Sequence, residues 1–189
     1  MAIIVFETRR FADERGWFSE TYNEEKLQKH GVRCRFVQDN QSLSVNIGTL
    51  RGLHFQTPPN VQAKLVRCPA GRFRDVVVDV RQGSPTFGQS LTVELSGENG
   101  HQIYIPEGFA HGFVTLEPNT EIFYKVSALY APESDSGICW NDPALAIEWP
   151  LPQNGAILSA KDQHLPLLSE WSTPFPYDGV PMSLRRVSL

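Results

Sequence analysis

The stretch RGLHFQTPPNVQAK, residues 51–64, holds the residue types that chemistry needs at close spacing. His54 stands in a short apolar run formed by Leu50, Leu53 and Phe55, with Arg51 before it and Lys64 after the break at Pro58-Pro59. Proline pairs favour a turn, so Lys64 is expected to return beside His54 on the following strand. A histidine titrates near neutrality, and nearby cations favour its neutral, proton-accepting form. The combination suits a general base next to a cation that stabilises developing negative charge. A core histidine bonded to backbone is the competing reading of the same stretch.

Two more residues belong with this set. On the run TEIFYKV, Tyr124 shares a face with Ile122 and Val126, opposite Phe123 and Lys125, because strand residues two apart point the same way. A buried tyrosine hydroxyl is a proton donor or simply a satisfied core group. Asp162, in the polar loop LSAKDQ, is either a loop cap or a partner for a histidine elsewhere.

The elements that must position these groups are short strands. Turn signals recur about every ten residues from Cys34 onward, which indicates a sandwich or barrel, not βαβ units. Strands are expected at 36–38, 49–55, 63–68, 73–80, 90–95, 102–105, 112–115 and 121–126. Before them come a strand at 3–6 and a hairpin turning at Asp13-Glu14-Arg15-Gly16. One helix is expected at 23–30, capped by Asn23, with Glu24 and Glu25 in its first turn and Gly31 at its end. His30, at the exit, is expected to be exposed and inert. The chain then divides into an N-terminal hairpin and helix (1–33), a barrel (34–150) and a C-terminal segment and tail (151–189), forming one domain. A small helix fits the segment after Trp149. The tail from 169 shows no periodicity and is expected at the periphery or on a partner subunit.

The run GHQIYIPEGFAH, 100–111, fits the second cupin pattern, with Gly100, Pro106, Gly108 and His111 in place. It points to an all-β fold, a cupin-type double-stranded β-helix (jelly-roll barrel) with a few short peripheral helices. Many cupins hold a metal through His-x-His and a glutamate of the first motif together with this last histidine. Here Gln56 occupies the second histidine position and no glutamate follows between Pro58 and Leu65. Three or four ligands of suitable type are needed, and the motifs supply two histidines, so no metal is expected.

Taken together, the runs DERGWFSE, FVQDNQS, LRGLHFQ, AKLVRC, SPTFGQ, IPEGFAHGF, FYK, WNDPALAIEWP and LSAKD resemble the dTDP-4-dehydrorhamnose 3,5-epimerases, metal-free cupins acting on nucleotide sugars. The matching runs extend from 13 to 162. The resemblance implies an isomerase, needing no cofactor, that inverts carbons 3 and 5 of dTDP-4-dehydro-6-deoxy-D-glucose in dTDP-rhamnose biosynthesis. It implies His54 as general base, Asp162 as its orienting partner, Tyr124 as proton donor on the opposite face and Lys64 near the ketone oxygen. Substrate contacts carried over by motif are Arg15, Phe18, Glu20, Gln38, Asn40, Arg51, Lys64, His111, Tyr130, Asp135 and Lys161. It also implies a homodimer with exchanged N-terminal strands, which would bring Arg15 and Phe18 to the partner's site. The chain departs from the family pattern in three places: KVSALYAP retains only Tyr130 of two adjacent tyrosines, Asp135 replaces a longer glutamate, and the tail beyond Ser169 is extended.

Composition narrows the classes further. The net charge of -4 argues against nucleic acid as partner. No apolar run reaches membrane-spanning length, and no signal-peptide pattern opens the chain. Cys34, Cys68 and Cys139 lie at wide spacings without CxxC, as expected of free thiols in the cytoplasm. The alternatives are a 3-epimerase inverting one centre, a non-catalytic nucleotide-sugar-binding cupin, and a metal-dependent cupin enzyme. The joint presence of His54, Lys64, Tyr124 and Asp162 disfavours the second, and Gln56 disfavours the third.

Overall fold

The computed structural model describes residues 2–189. Two sheets face each other and close into a jelly roll. The six-stranded sheet runs β13(Leu184–Ser188), β1(Ile3–Glu7), β9(His101–Ile105), β6(Lys64–Ala70), β11(Thr120–Val126), β4(Gln38–Ser44). The five-stranded sheet runs β12(Asp135–Gly137), β5(Leu50–Gln56), β10(Phe109–Thr115), β7(Arg72–Asp79), β8(Ser90–Ser96). A separate hairpin, β2(Phe11–Asp13) with β3(Gly16–Phe18), pairs with neither. Among the described residues no helix is long and apolar enough to cross a membrane.

The period-two pattern explains the core. Alternate residues of facing strands, including Val66, Phe73, Val77, Leu95, Ile103 and Ile122, fill the space between the sheets. β1 is buried on both faces: Ile3 and Val5 point into that core, while Ile4 and Phe6 pack under the helix α1(Glu24–Lys29) with Leu27 and Val32. Asn23 caps this helix through its side chain to the Lys26 N–H, as expected from an N-cap asparagine. His30 is not the exposed residue anticipated; it is half-buried, edge-on to the Phe6 ring at 5.8 Å. A polar strand was also missed. The strand expected at 36–38 lies instead at β4, QDNQSLS, whose half-buried face carries Gln38, Asn40 and Ser42, so the apolar alternation that signals a strand is absent.

Two other expectations change. Pro58-Pro59 does form a turn, with the Asn60 N–H donating to Thr57 O at 3.1 Å. The turn carries the chain from one sheet to the other, so β6 does not pair with β5. Lys64 therefore faces His54 across the barrel instead of lying beside it in a hairpin. The tail folds back onto its own barrel: Trp171 and Phe175 pack on Phe55, and β13 adds to β1 in parallel. The small helix anticipated after Trp149 is limited to single turns of 3-10 helix, η3(Asp162–His164) and η4(Leu168–Glu170).

The tail is held by a buried ion pair. Asp79 and Arg81 lie two residues apart, and the guanidinium meets the carboxylate at 2.7 Å with both side chains almost inaccessible. Arg81 also reaches Asp178 of the tail at 2.6 Å and lies between the rings of Phe109 and Tyr177. The cupin-motif Gly108 makes room for it, since a Cβ there would stand 2.7 Å from Arg81 Cγ. Removing one partner of a buried pair leaves an uncompensated charge. Arg81→Met should therefore cost about 3–5 kcal/mol in urea unfolding, far more than Lys125→Met, whose partner Asp39 is mostly exposed.

Candidate functional site

A cleft of about 240 Å³, open to solvent, lies between the sheets and is lined by Arg51, His54, Lys64, His111, Tyr124 and Asp162, among others. Lys64, His111 and Tyr124 arrive by strand alternation, Asp162 comes from a C-terminal 3-10 turn, and a register break between β5 and β10 brings Arg51 and His54, three residues apart, to the same cleft. Arg51 and His54 project from β5, His111 from β10, Lys64 from β6 and Tyr124 with Ile122 from β11. The outward residues confirm the phase of β11: Phe123 stacks under Arg67 and Lys125 pairs with Asp39. In register, His111 stands directly opposite His54. The strands approach closely just beyond that point. A Cβ on Gly52 would stand 2.5 Å from the Gly112 Cα, and Gly52 holds φ +133, a region that favours glycine. This explains the glycine of RGLH.

His54 Nε2 and Asp162 Oδ1 are 2.5 Å apart, and the carboxylate is buried. With the Nε2 proton donated to Asp162, Nδ1 keeps its lone pair and is free to take a proton. Burial alone would raise the Asp162 pKa, but the bond and charge of His54, with help from Ser159 and the Gly52 backbone, hold it below the usual value. The acid is thus ionised and fixes the imidazole tautomer. Burial draws Lys64 down to about 8, against the opposing pull of Asp75 and Asp135. Burial also raises Tyr124, which keeps its proton firmly at neutral pH. The cleft therefore sets a proton acceptor on one sheet against a proton-bearing phenol and an ammonium on the other.

A second histidine–carboxylate pair escaped the sequence reading. His111 Nε2 meets Asp75 Oδ2 at 2.7 Å, with Asp75 fully buried. Burial raises the Asp75 pKa despite His111 and Lys64. The available signal was the two acids, Asp75 and Asp79, set within the β-branched run FRDVVVDV. Ser42 and Ser159, which also line the cleft, carried no such signal.

The rim adds Tyr130, Asp135 and Lys161. The Asp135 Oδ2 accepts from Lys161 Nζ at 2.5 Å and from the Tyr130 hydroxyl at 3.2 Å. Gln38 and Asn40 bond each other at 2.8 Å on β4. Neither lines the cleft, Asn40 facing a neighbouring recess with Tyr22 and Arg67, and three further expected contact residues do not reach it within this chain. Arg15 is highly exposed and paired with Asp13, Phe18 is 68% exposed, and Glu20 pairs with Lys26 at 3.3 Å. Gln56, at the second cupin histidine position, is buried and bonded to Asn60, Leu129 and Ala131.

Comparison with known proteins identifies the family. The family model for dTDP-4-dehydrorhamnose 3,5-epimerase matches residues 2–170. The dTDP-4-dehydrorhamnose 3,5-epimerase of Sinorhizobium fredii is 52% identical over 169 residues, covering 89% of this chain and 86% of the relative. Among solved structures, the Bacillus anthracis enzyme of that name, with TDP and PPi bound, superposes with a TM-score of 0.83 at 50% identity, covering 86% of this chain and 92% of its own. The dTDP-6-deoxy-D-glucose-3,5-epimerase of Legionella pneumophila, in complex with dTDP-4-keto-L-rhamnose, gives 0.84 at 47% identity, covering 87% of each chain. These similarities, over nearly the whole barrel, establish that the chain belongs to the dTDP-4-dehydrorhamnose 3,5-epimerase family.

Proposed function

We propose that this chain inverts carbons 3 and 5 of dTDP-4-dehydro-6-deoxy-D-glucose to give dTDP-4-dehydro-L-rhamnose, with His54 as base and Tyr124 as acid. The observation that carries this reading is that the two groups come from opposite sheets across one cleft, with Lys64 on the same wall as Tyr124. A proton next to a ketone becomes acidic only when the enolate is stabilised. The Lys64 ammonium supplies that charge. Nδ1 of His54 removes the proton from one face, Asp162 holds the imidazolium formed, and the Tyr124 hydroxyl returns a proton to the other face. Repetition at the second carbon adjoining the ketone gives double inversion. Arg51, His111, Lys161 and Asp135 surround the sugar and diphosphate, and Gln38, Asn40 and Tyr130 lie towards the nucleoside.

The same reading includes a cytoplasmic homodimer. Phe11, Trp17 and Phe18 are each more than half exposed on the β2–β3 hairpin, a cluster too apolar to be left in water without a partner. β1 is already paired on both edges within this chain, so β2 and β3 are the N-terminal strands available for exchange. Their insertion into a second copy carries Arg15, Phe18 and Glu20 to its cleft. Light scattering should then give twice the 21.3 kDa of one chain; a monomer at assay concentration would exclude shared sites.

Exchange in deuterated water tests the chemistry. The product should gain two deuterons, whereas a persistent gain of one identifies a single-centre epimerase. His54→Asn should lower exchange by about 10²–10⁴-fold, the usual worth of a positioned base, and Asp162→Asn by less. Tyr124→Phe should wash label into substrate faster than it forms epimer, because abstraction survives and return from the original face dominates. Epimerisation at the wild-type rate in Tyr124→Phe would remove Tyr124 from the mechanism.

The Lys64 charge predicts a pH limit. The ammonium is the working form and is lost as pH rises through about 8, so turnover should fall on the alkaline side. Asp75→Asn removes an anion that favours the ammonium, and this limb should move to lower pH in a rate profile. An unmoved limb would mean that another group sets it.

A further inference from the structure

The loop that follows β11 and carries Tyr130 has little to hold it by packing. Leu129 and Tyr130 are 65% and 57% exposed. Its backbone is instead bonded, residue by residue, to three glutamines. Gln62 Nε2 donates to the Ala128 carbonyl at 2.8 Å. Gln56 Nε2 donates to the Leu129 carbonyl at 3.2 Å and to the Asn60 carbonyl at 2.6 Å. Gln38 Oε1 accepts from the Tyr130 N–H at 3.0 Å. Gln56 Oε1 accepts from the Ala131 N–H at 2.9 Å.

Gln56 is the centre of this set. It is buried, makes two of the four bonds to the loop and a third to Asn60, and follows His54 by two residues on the same strand. A neutral amide offers two donors and an acceptor on one short stem, and all three are used here. A glutamate would set a carboxylate against two carbonyls, and a methionine would leave buried backbone groups without partners. The strand that carries His54 is thus bonded directly to the loop that carries Tyr130. Gln56, Gln62 and Tyr130 line one continuous recess with Asp135 and Lys161 at the mouth of the cleft.

We propose that Gln56 is a positioning residue for nucleotide recognition: it fixes the Ala128–Ala131 backbone, with Gln38 and Gln62, so that the Tyr130 ring is held at the rim to receive the dTDP portion of the substrate. This rests on the reading of Tyr130 as a substrate contact. Gln56 touches neither the sugar nor His54 in this role, so its loss weakens binding and leaves proton transfer intact.

The test uses the full chain with Gln56→Met, Tyr130→Ala and the double variant. The readouts are the calorimetric Kd for dTDP, and kcat and KM for dTDP-4-dehydro-6-deoxy-D-glucose. Each lost bond is worth roughly 2- to 10-fold, so Gln56→Met should raise both Kd and KM by about 10- to 100-fold, with kcat within about 3-fold of wild type. In the Tyr130→Ala background the same change should add almost nothing. A fall in kcat with unchanged KM overturns the proposal, as does a full additive effect in that background. Tyr130→Ala with unchanged Kd and KM defeats the reading of Tyr130 and the proposal with it, whereas a weakened Tyr130→Ala with additive Gln56→Met defeats the proposal alone. If Gln56→Met does not fold, Gln62→Met removes a single bond to the same loop. It should raise Kd by about 3-fold, again only when Tyr130 is present, and an unchanged Kd overturns the proposal.

Discussion

The contact between His54 and Asp162 joins a strand of the five-stranded sheet to a single turn of 3-10 helix 108 residues later. It ties the C-terminal segment to the wall of the cleft and fixes which imidazole nitrogen is free. A carboxylate buried there is tolerated because it accepts from the imidazole and is further supported by Ser159 and the Gly52 backbone. Burial without those bonds would raise its pKa and leave the histidine unoriented. The geometry of the cleft depends on this joint more than on any one strand.

Jelly-roll topology supplies the second constraint. A base and an acid that act on opposite faces of one carbon must approach from opposite sides. Two facing sheets provide that separation without flexible loops, since each side chain stands perpendicular to its own strand. His54 rises from one sheet, Lys64 and Tyr124 from the other. The chain crosses between sheets at residues 57–63, so the most closely spaced functional residues of the sequence end up on opposing walls. Lys64 is then shielded enough to lose part of its proton affinity and close enough to Asp75 and Asp135 to keep its charge below about pH 8.

The barrel also spends polar groups on holding itself together. The Asp79–Arg81 pair anchors the tail alongside the packing of Trp171 and Phe175, and the glutamines hold the Tyr130 loop, whose Leu129 and Tyr130 are exposed. Such networks give a defined position. They contribute less to net stability than their number suggests, because each group gives up its bonds to water. Their effect is on which arrangement the loop and tail adopt.

The sequence by itself determined the all-β class, the capped helix at Asn23, the hairpin at Asp13–Gly16 and the inward phase of Tyr124, because these follow from local turn chemistry and from side chains alternating at period two. It also carried the family motifs that mark His54, Lys64, His111 and Asp162, which the fold gathers in one cleft. Tertiary structure alone decided which strands pair. Nothing local in TPPN distinguishes a hairpin from a crossover between sheets, so Lys64 moved from a neighbouring strand to the facing wall. Nor does local pattern reveal the strand at β4 or the docking of the tail, since polar alternation and scattered aromatics gain their partners only from residues far along the chain. Asp75 reads as an interruption of an apolar strand until His111, 36 residues away, is folded against it; a buried charge acquires its meaning from its partner, and the partner is set by the fold.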